Sequence, residues 1–94
     1  TMTVQATITI VNPLGLHARA ASKFVDLAKH FAADVTVIAE DGSEADGKRI
    51  MNLLMLGAPM GTTVEVVASG TDEADALLAL TKLIQNGFDE LANP

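Results

Sequence analysis

One short stretch of the sequence places a nucleophilic side chain beside groups that bind anions. His17 follows the turn signals Asn12, Pro13 and Gly15 and precedes a run of helical spacing that starts at Ala18. The first backbone N–H groups of a helix have no partner inside it and lie at its positive end, so they form an anion site beside the imidazole. The same positive end disfavours the imidazolium and leaves a neutral, nucleophilic ring nitrogen. A phosphoryl group on His17 would lie in this anion site.

Arg19 supports this interpretation because of its place in the first turn of the predicted helix. A guanidinium offers a planar set of donors for phosphate oxygens. A cation at this point opposes the helix dipole, so stability alone would favour Asp or Glu there, and Arg19 indicates a function that requires positive charge. The simpler alternative is that His17 only caps the helix and Arg19 is a solvated cation. The residues by themselves leave both readings open.

The remaining inventory argues against most other kinds of site. The chain has two histidines and no cysteine, and His17 and His30 have no partners at metal-ligand spacing, so we expect no metal and no cofactor. No glycine-rich phosphate loop is present. A site with a single histidine lacks a second acid–base group, which disfavours an enzyme or a small-ligand module. We expect His30 to interact with the C-terminal end of its helix, without a catalytic role.

Hydropathy patterning predicts the elements that must position His17. Strict alternation predicts strands over 3–10, 35–39, 44–46 and 62–68, with a hairpin turn over 40–43. Helical spacing predicts one helix from Ala18 through Phe31, one over Lys48–Leu56 and one that has Thr71 or Asp72 as its N-cap and includes Phe88. Since half-polar strands leave one sheet face wet, the order β-α-β-β-α-β-α predicts an open-faced α+β sandwich. Its four-stranded, mainly antiparallel sheet carries three helices on one face.

The second predicted helix is apolar over more of its circumference than one buried stripe requires. Its spacing places Leu53 and Leu56 toward the core, so part of its apolar surface is left for exposure. Exposed apolar clusters with polar surroundings mark surfaces for partner proteins. The alternative for the other apolar residues of this helix is ordinary core.

Size and charge bound the class of protein. With 94 residues the chain fits one domain over 1–94, which we expect to be a monomer. Twelve acidic against six basic residues give a net charge of -6, which disfavours nucleic acid as a partner. No signal peptide and no apolar run of ~20 residues is evident, so we expect a cytoplasmic protein without membrane insertion. We expect Met2 to be the native start, with Thr1 left by processing.

The segment Gly15-Leu16-His17-Ala18-Arg19-Ala20-Ala21 resembles the active-site signature of the histidine-containing phosphocarrier protein (HPr) family. The resemblance extends over the whole chain, because the strand order and loop lengths also fit. It includes Lys48-Arg49-Ile50-Met51, the Leu56-Gly57 helix exit and the turn over 68–73. It implies an HPr-like open-faced sandwich.

The resemblance also implies a function and its residues. In the family, the histidine at the position of His17 takes a phosphoryl group on Nδ1 from enzyme I of the phosphoenolpyruvate-dependent phosphotransferase system and passes it to enzyme IIA proteins. By resemblance Arg19 is the cation beside the phosphoryl group, and the backbone N–H groups of Ala18 and Arg19 cradle it. A protein that hands on each group it receives is a stoichiometric carrier and not an enzyme.

Partner binding follows from the same resemblance. Ile50, Met51 and Leu54 match the apolar patch that docks enzyme I and the acceptors, although Met51 and Leu54 could instead belong to the core. Lys23, like Lys29, matches a basic interface position, with solvated lysine as the alternative. A regulatory module that docks through Ile50, Met51 and Leu54 without carrying phosphate is the second hypothesis.

Three positions depart from the family pattern. Ala20 replaces a usual proline, at little expected cost, because alanine is the best helix former. Arg49 stands where many members carry a regulatory serine, so there is no phosphorylatable serine at that position, and Ser43 in the hairpin is no substitute. Asp26 is acidic where the family is often basic. Arg49, together with the close of the last helix at 87–90, favours the nitrogen-related branch of the family over the sugar-transport branch.

Overall fold

The computed structural model describes residues 3–90, which form four strands and three helices with a short final turn of 3-10 helix. The strands are β1 (Thr3–Thr9), β2 (Asp34–Ala39), β3 (Glu44–Asp46) and β4 (Thr63–Ser69). The helices are α1 (Ala18–Ala28), α2 (Ile50–Leu56) and α3 (Glu73–Gln85), followed by the 3-10 turn Gly87–Asp89. The predicted element order is confirmed. None of the helices in this range is long and apolar enough to cross a membrane.

The four strands form one sheet in the order β1-β4-β2-β3, and every pairing is antiparallel. β4 lies between β1 and β2, with Val66 opposite Ala6 on one side and Val37 on the other. The hairpin between β2 and β3 closes through the predicted turn, where the Ala39 amide donates to the Ser43 carbonyl at 2.9 Å. The sheet is therefore antiparallel throughout, rather than only mainly so.

One face of the sheet and the three helices enclose the core, which confirms the predicted open-faced sandwich. Alternate strand residues point inward, while Thr3, Gln5, Thr7 and Thr9 of β1 are exposed, as the alternation predicts. The inward set packs against apolar residues of all three helices. Its fully buried larger members include Phe24, Leu53, Val64, Val66, Leu80 and Ile84.

The ends of the first two helices differ from the prediction by a turn or less. α1 ends at Ala28 instead of Phe31, and Phe31 packs against a second, smaller cluster with Ala33 and Ala68. α2 begins at Ile50 instead of Lys48, because the Asp46 carboxylate accepts the Lys48 amide at 2.9 Å and holds this segment in a turn. Hydrophobic spacing reports the buried face but not the local hydrogen bonds that end a helix.

The largest difference from prediction lies after α3. Phe88 is fully buried, as its spacing suggests, but it does not continue the helix. α3 ends at Gln85, and Gly87, Phe88 and Asp89 all have positive φ, at 63°, 55° and 64°. The chain therefore turns back toward α1 while keeping the Phe88 ring in the core. Spacing alone does not separate this turn from a further helical turn.

The loop before α1 is fixed against the loop after α2. Gly15 has φ +64°, and a Cβ there would lie 2.6 Å from the Ala58 carbonyl oxygen, so a side chain is excluded by both conformation and space. The same carbonyl accepts the Leu16 amide at 2.9 Å. Residue 17 therefore occupies a position set by two separate parts of the chain.

Candidate functional site

His17 is the N-cap residue of α1, so the N-cap reading and the phosphate-site reading describe one geometry. Its backbone is extended, and its Nδ1 accepts a hydrogen bond from the Arg19 amide at 3.3 Å. The next amides of the first turn point the same way, as in any helix start. An anionic group bonded to Nδ1 would lie among these donors.

The surroundings of Nδ1 are open and lack competing acids. His17 is half-buried, Ala18 and Arg19 are exposed, and the first turn of α1 contains no acidic residue. Within residues 3–90 the Arg19 guanidinium forms no ion pair, so it is available to an incoming anion. A shallow depression at this point is lined by Pro13, Leu14, His17, Ala18, Arg19 and Glu90. The structure thus brings together His17, Ala18 and Arg19, the residues predicted for phosphate chemistry.

Glu90 is a member of this site that sequence reasoning missed. Its Oε2 is in hydrogen-bond contact with His17 Nε2, and its Oε1 accepts from Asn12 Nδ2 at 2.9 Å. Asn12 is fully buried and also donates to the Gly15 carbonyl at 2.8 Å, so it ties the loop before α1 to Glu90. No local signal reveals this contact, because it joins residues 73 positions apart across an irregular turn.

Electrostatics keep Glu90 ionised. Burial acts to raise the pKa of its carboxyl, but hydrogen bonds from Asn12 and His17 and the positive charge of Lys23 act in the opposite direction. The lowering effects win, and the pKa lies below its usual value of 4.5. At neutral pH His17 Nε2 therefore faces a carboxylate, which accepts hydrogen bonds and cannot donate one.

Lys23, predicted as a partner-binding base, has an internal hydrogen bond. Its Nζ donates to the Phe88 carbonyl at 2.8 Å, and the side chain is half-buried against the turn that carries Glu90. The predicted role of Lys23 at a protein interface stays a prediction. In the fold, its hydrogen bond connects α1 to the turn after α3. Asp26, one turn further along α1, is exposed.

The predicted docking residues on α2 are unequal in exposure. Met51 is 62% exposed and Ile50 38%, whereas Leu54 is half-buried against the core. Met55, at 83%, extends this face, which we call the apolar patch: Ile50, Met51, Leu54 and Met55. Of the two residues predicted to face inward, Leu53 is fully buried and Leu56 only half-buried. Because the Ala58 carbonyl holds the loop before α1, the C-terminal end of α2 lies close to the His17 loop.

Two other residues from the sequence analysis lie outside this constellation. Arg49, predicted to replace a regulatory serine of the family, is exposed and is the N-cap of α2, with its Nε 3.9 Å from Asp46 Oδ2. His30 Nδ1 lies 2.8 Å from the Asp26 carbonyl oxygen, which agrees with a role at the end of α1. Among the described residues, no three His, Asp or Glu side chains converge closely enough to hold a metal ion.

The described fold is a four-stranded open-faced sandwich with a histidine at the start of its first helix. Residues 4–86 match the sequence model of a family described as the phosphotransferase system (PTS) HPr component phosphorylation site. This match covers most of the chain, and it ends before the turn that carries Glu90. The chain belongs to the HPr family.

Individual relatives agree with this assignment. The phosphocarrier protein HPr of Neisseria meningitidis is 47% identical over 87 residues, which is 93% of this chain and 97% of that protein. The phosphocarrier protein NPr of Escherichia coli is 43% identical over 89 residues, which is 95% of this chain and 99% of that protein. The crystal structure of HPr-C-His from Thermoanaerobacter tengcongensis superimposes with a TM-score of 0.87 at 39% identity. The match covers 93% of this chain and 97% of that structure. The relatives thus include proteins called HPr and proteins called NPr.

Proposed function

We propose that this chain carries phosphoryl groups in the phosphoenolpyruvate-dependent phosphotransferase system, on Nδ1 of His17. The observation that supports this most is the arrangement of the ring: Nδ1 accepts the Arg19 amide, while Nε2 is occupied by Glu90. Nδ1 therefore holds the free electron pair and faces the helix N-terminus. It is the nitrogen that can attack phosphorus and leave the product beside an anion site.

The roles of the neighbouring groups follow from the charge of the transferred group. The Nδ1 lone pair forms the new bond while the bond between phosphorus and the donor nitrogen of enzyme I breaks, and the electron pair of that bond returns to the donor. Donors of Arg19 and of the backbone at Ala18 and Arg19 offset the negative charge of the phosphoryl oxygens. Transfer to an enzyme IIA protein reverses these steps, so each group received is handed on.

The surface near His17 supports docking to both partners. The apolar patch is an exposed apolar area on α2, the helix whose C-terminal end lies close to the His17 loop. Clusters of this kind mark protein interfaces. Arg19 and Lys23 add positive charge, which favours association with an acidic partner. We propose enzyme I and an enzyme IIA protein as the partners of a monomeric, cytoplasmic, single-domain chain. Arg49 removes regulation by serine phosphorylation at that position.

The branch of the system is a separate proposal. Arg49 at the serine position and the close of the chain over 87–90 favour the nitrogen-related branch. Relatives called HPr and NPr have similar identities to this chain, so identity does not discriminate between the branches. Mixing the phosphorylated chain with enzyme IIA proteins of both branches tests the proposal. Faster transfer to a sugar-branch IIA protein would contradict it.

The central experiment is phosphorylation by enzyme I and phosphoenolpyruvate. We expect one acid-labile phosphate per chain, lost in His17→Ala and retained in His30→Ala. His30→Ala is the matched control, because it removes the other histidine of the chain, which is exposed and whose Nδ1 lies against the Asp26 carbonyl oxygen. Absence of acid-labile phosphate from the wild-type chain, or its presence in His17→Ala, would refute the carrier function.

The second hypothesis, docking without phosphate transfer, rests on the exposure of Met51 and Met55. It predicts that His17→Ala keeps full biological activity while a polar substitution in the apolar patch removes it. The carrier hypothesis predicts loss of activity in both. Comparing the two variants in one assay separates the hypotheses.

A further inference from the structure

The turn that follows α3 is strained, and it presents one side chain to the site. Phe88 and Asp89 adopt the left-handed region, which is unfavourable for non-glycine residues. Such conformations persist only where the surroundings determine them. Here the buried Phe88 ring and the hydrogen bond from Lys23 Nζ to the Phe88 carbonyl fix the turn. The outcome of this fixed turn is the position of Glu90.

The Glu90 carboxylate has both of its oxygens engaged. Oε2 contacts His17 Nε2 and Oε1 accepts from Asn12 Nδ2, and the side chain is only 15% exposed. Asn12 is itself fully buried and anchored to the Gly15 carbonyl. The carboxylate therefore has a fixed orientation, unlike a surface glutamate that samples many rotamers.

The two nitrogens of His17 are thereby given different roles. A carboxylate only accepts, so Nε2 carries the proton that is donated to Glu90. The Arg19 amide only donates, so Nδ1 is the acceptor. Two independent contacts assign the same tautomer, in which Nδ1 is nucleophilic and Nε2 is both protonated and covered.

We propose that Glu90 is a positioning residue that directs the phosphoryl group to Nδ1 of His17 and balances the positive charge that the ring acquires. This inference deepens the proposed carrier function and rests on it. Residue 90 lies beyond the family match at 4–86, so the assignment comes from the contacts alone.

The charge balance of the transfer gives Glu90 its second role. When the Nδ1 electron pair bonds to phosphorus and the donor nitrogen leaves with its own pair, Nε2 keeps its proton, so no proton has to move. The ring changes from neutral to positively charged. The carboxylate facing Nε2 stabilises that charge, while the Arg19 guanidinium lies toward the phosphoryl side. Lys23 is the other cation that faces Glu90, and Asp89 is an exposed acid in the same turn.

The measurement that distinguishes a positioning role from a merely structural one is which ring nitrogen of His17 becomes phosphorylated. Phosphoramidate, a small donor that transfers its phosphoryl group to imidazole with release of ammonia, does not require enzyme I. With the wild-type chain we expect phosphate on Nδ1 alone, resolved from the Nε2 isomer by 31P NMR. With Glu90→Ala, Nε2 is uncovered, and we expect a substantial share of the Nε2 isomer.

Two further variants separate the hydrogen bond from the charge and from the fold. Glu90→Gln retains an acceptor oxygen, so we expect it to restore the preference for Nδ1. Asp89→Asn removes an exposed acid from the same strained turn, and we expect wild-type regiochemistry. With enzyme I as donor, we expect Glu90→Ala to be phosphorylated about ten- to a hundredfold more slowly, the range for losing a hydrogen bond to a charged group, and Glu90→Gln to lie between.

The outcomes are decisive in each arm. Exclusive Nδ1 phosphorylation of Glu90→Ala by phosphoramidate, or an enzyme I rate within twofold of wild type, would overturn the role of Glu90. An equal loss in Asp89→Asn would also overturn it, since the effect would then belong to the turn as a whole. If enzyme I fails to phosphorylate the wild-type chain while phosphoramidate gives the expected isomers, the carrier function fails and the positioning role stands.

Discussion

The starts of α1 and α3 differ in how they use charged side chains. α3 has Glu73 and Asp75 in its first turn, and its N-cap residue Asp72 accepts the Ala32 and Ala33 amides at 2.8 Å each. α1 has no acid in its first turn and carries Arg19 there instead. No carboxylate among residues 3–90 reaches the first amides of α1. One helix start therefore has the charges that favour stability, whereas the other lacks acids at its first amides, as the proposed phosphate site requires.

The one acid near the start of α1 sharpens this contrast. Glu90 reaches the site from the far end of the described chain, and it contacts the ring nitrogen that faces away from the helix amides. A carboxylate at the amides themselves would occupy the proposed anion site. Both helix starts therefore have acidic residues near them. They differ in where these residues lie: in the first turn of α3, but on the far side of the His17 ring at α1.

Reversing the charge in the first turn of α1 gives the largest expected effect. Arg19→Glu makes this turn resemble that of α3, so we expect stability to be unchanged or to rise by about 0.3–1 kcal/mol. We expect phosphorylation by enzyme I to slow by roughly 10²–10³, the range for losing one stabilising donor group. Thermal melts and initial rates measure the two effects.

Lys82→Glu is the control for that change, because Lys82 is exposed in the last turn of α3 and gives the same change in net charge. We expect its phosphorylation rate to match the wild type. An Arg19→Glu chain phosphorylated at the wild-type rate would contradict the proposed role of the guanidinium.

Breaking the loop that holds α1 has the next largest effect. Gly15→Ala forces a Cβ to within 2.6 Å of the Ala58 carbonyl oxygen and keeps an unfavourable φ, so we expect a loss of about 1–3 kcal/mol in the free energy of unfolding. Gly42→Ala is the matched control: φ is +88°, but a Cβ there meets nothing within 4 Å. Urea titrations should show the smaller loss for Gly42→Ala, and equal losses would mean that the contact with Ala58 does not matter.

Exposed apolar residues on α2 and α3 provide a third comparison. Met51 and Leu78 are 62% and 57% exposed, so replacing either with alanine should change stability by no more than about 0.5 kcal/mol. We expect Met51→Ala to slow transfer roughly five- to tenfold, as for an interface residue worth more than about 1 kcal/mol. Leu78→Ala should leave transfer rates unaltered. Equal effects of the two substitutions would argue against the apolar patch as a docking surface.

The smallest effect is expected at the start of α3 and depends on pH. The hydrogen bond from the Ala32 amide, aided by that from Ala33, holds the pKa of Asp72 below 3.8 despite some desolvation. A lowered pKa in the folded state adds stability that is complete above the ordinary value and is lost as the pH falls through the folded value. Asp72→Asn should therefore be less stable than wild type at neutral pH. The two melting temperatures should converge in acid, and a gap that persists there would mean that the charge of Asp72 is not the cause.

Sequence patterns predicted most of the fold because the signals are local. Alternation in the strands and the spacing around Phe24 and Leu53 depend on neighbouring residues, and each appears in the structure as expected. Helix ends were less predictable. A single hydrogen bond from the Lys48 amide to the Asp46 side chain keeps this segment out of α2, and hydrophobic spacing gives no sign of it. The start of α1 directly after His17 was predictable too, because its signals lie in consecutive residues.

The other side of the site was not predictable, for a physical reason. Asn12 and Glu90 are far apart in the chain and come together through a turn in which Phe88 and Asp89 have left-handed backbone conformations. The residue types at these two positions do not predict that conformation. A burial pattern identifies Phe88 as core without telling in which direction the chain leaves it.

The strand order has a consequence for how the chain reaches its folded state. In the described chain β1 pairs only with β4, and β2 pairs with β4 and with its hairpin partner β3. During synthesis, therefore, only the β2–β3 hairpin can form before β4 is available, and β1 waits for a partner some sixty residues later. His17 leaves the ribosome early, but its contact with Glu90 can form only after residue 90 has been synthesised. That contact therefore becomes possible late in synthesis of the described chain, after the residues of all four strands are present.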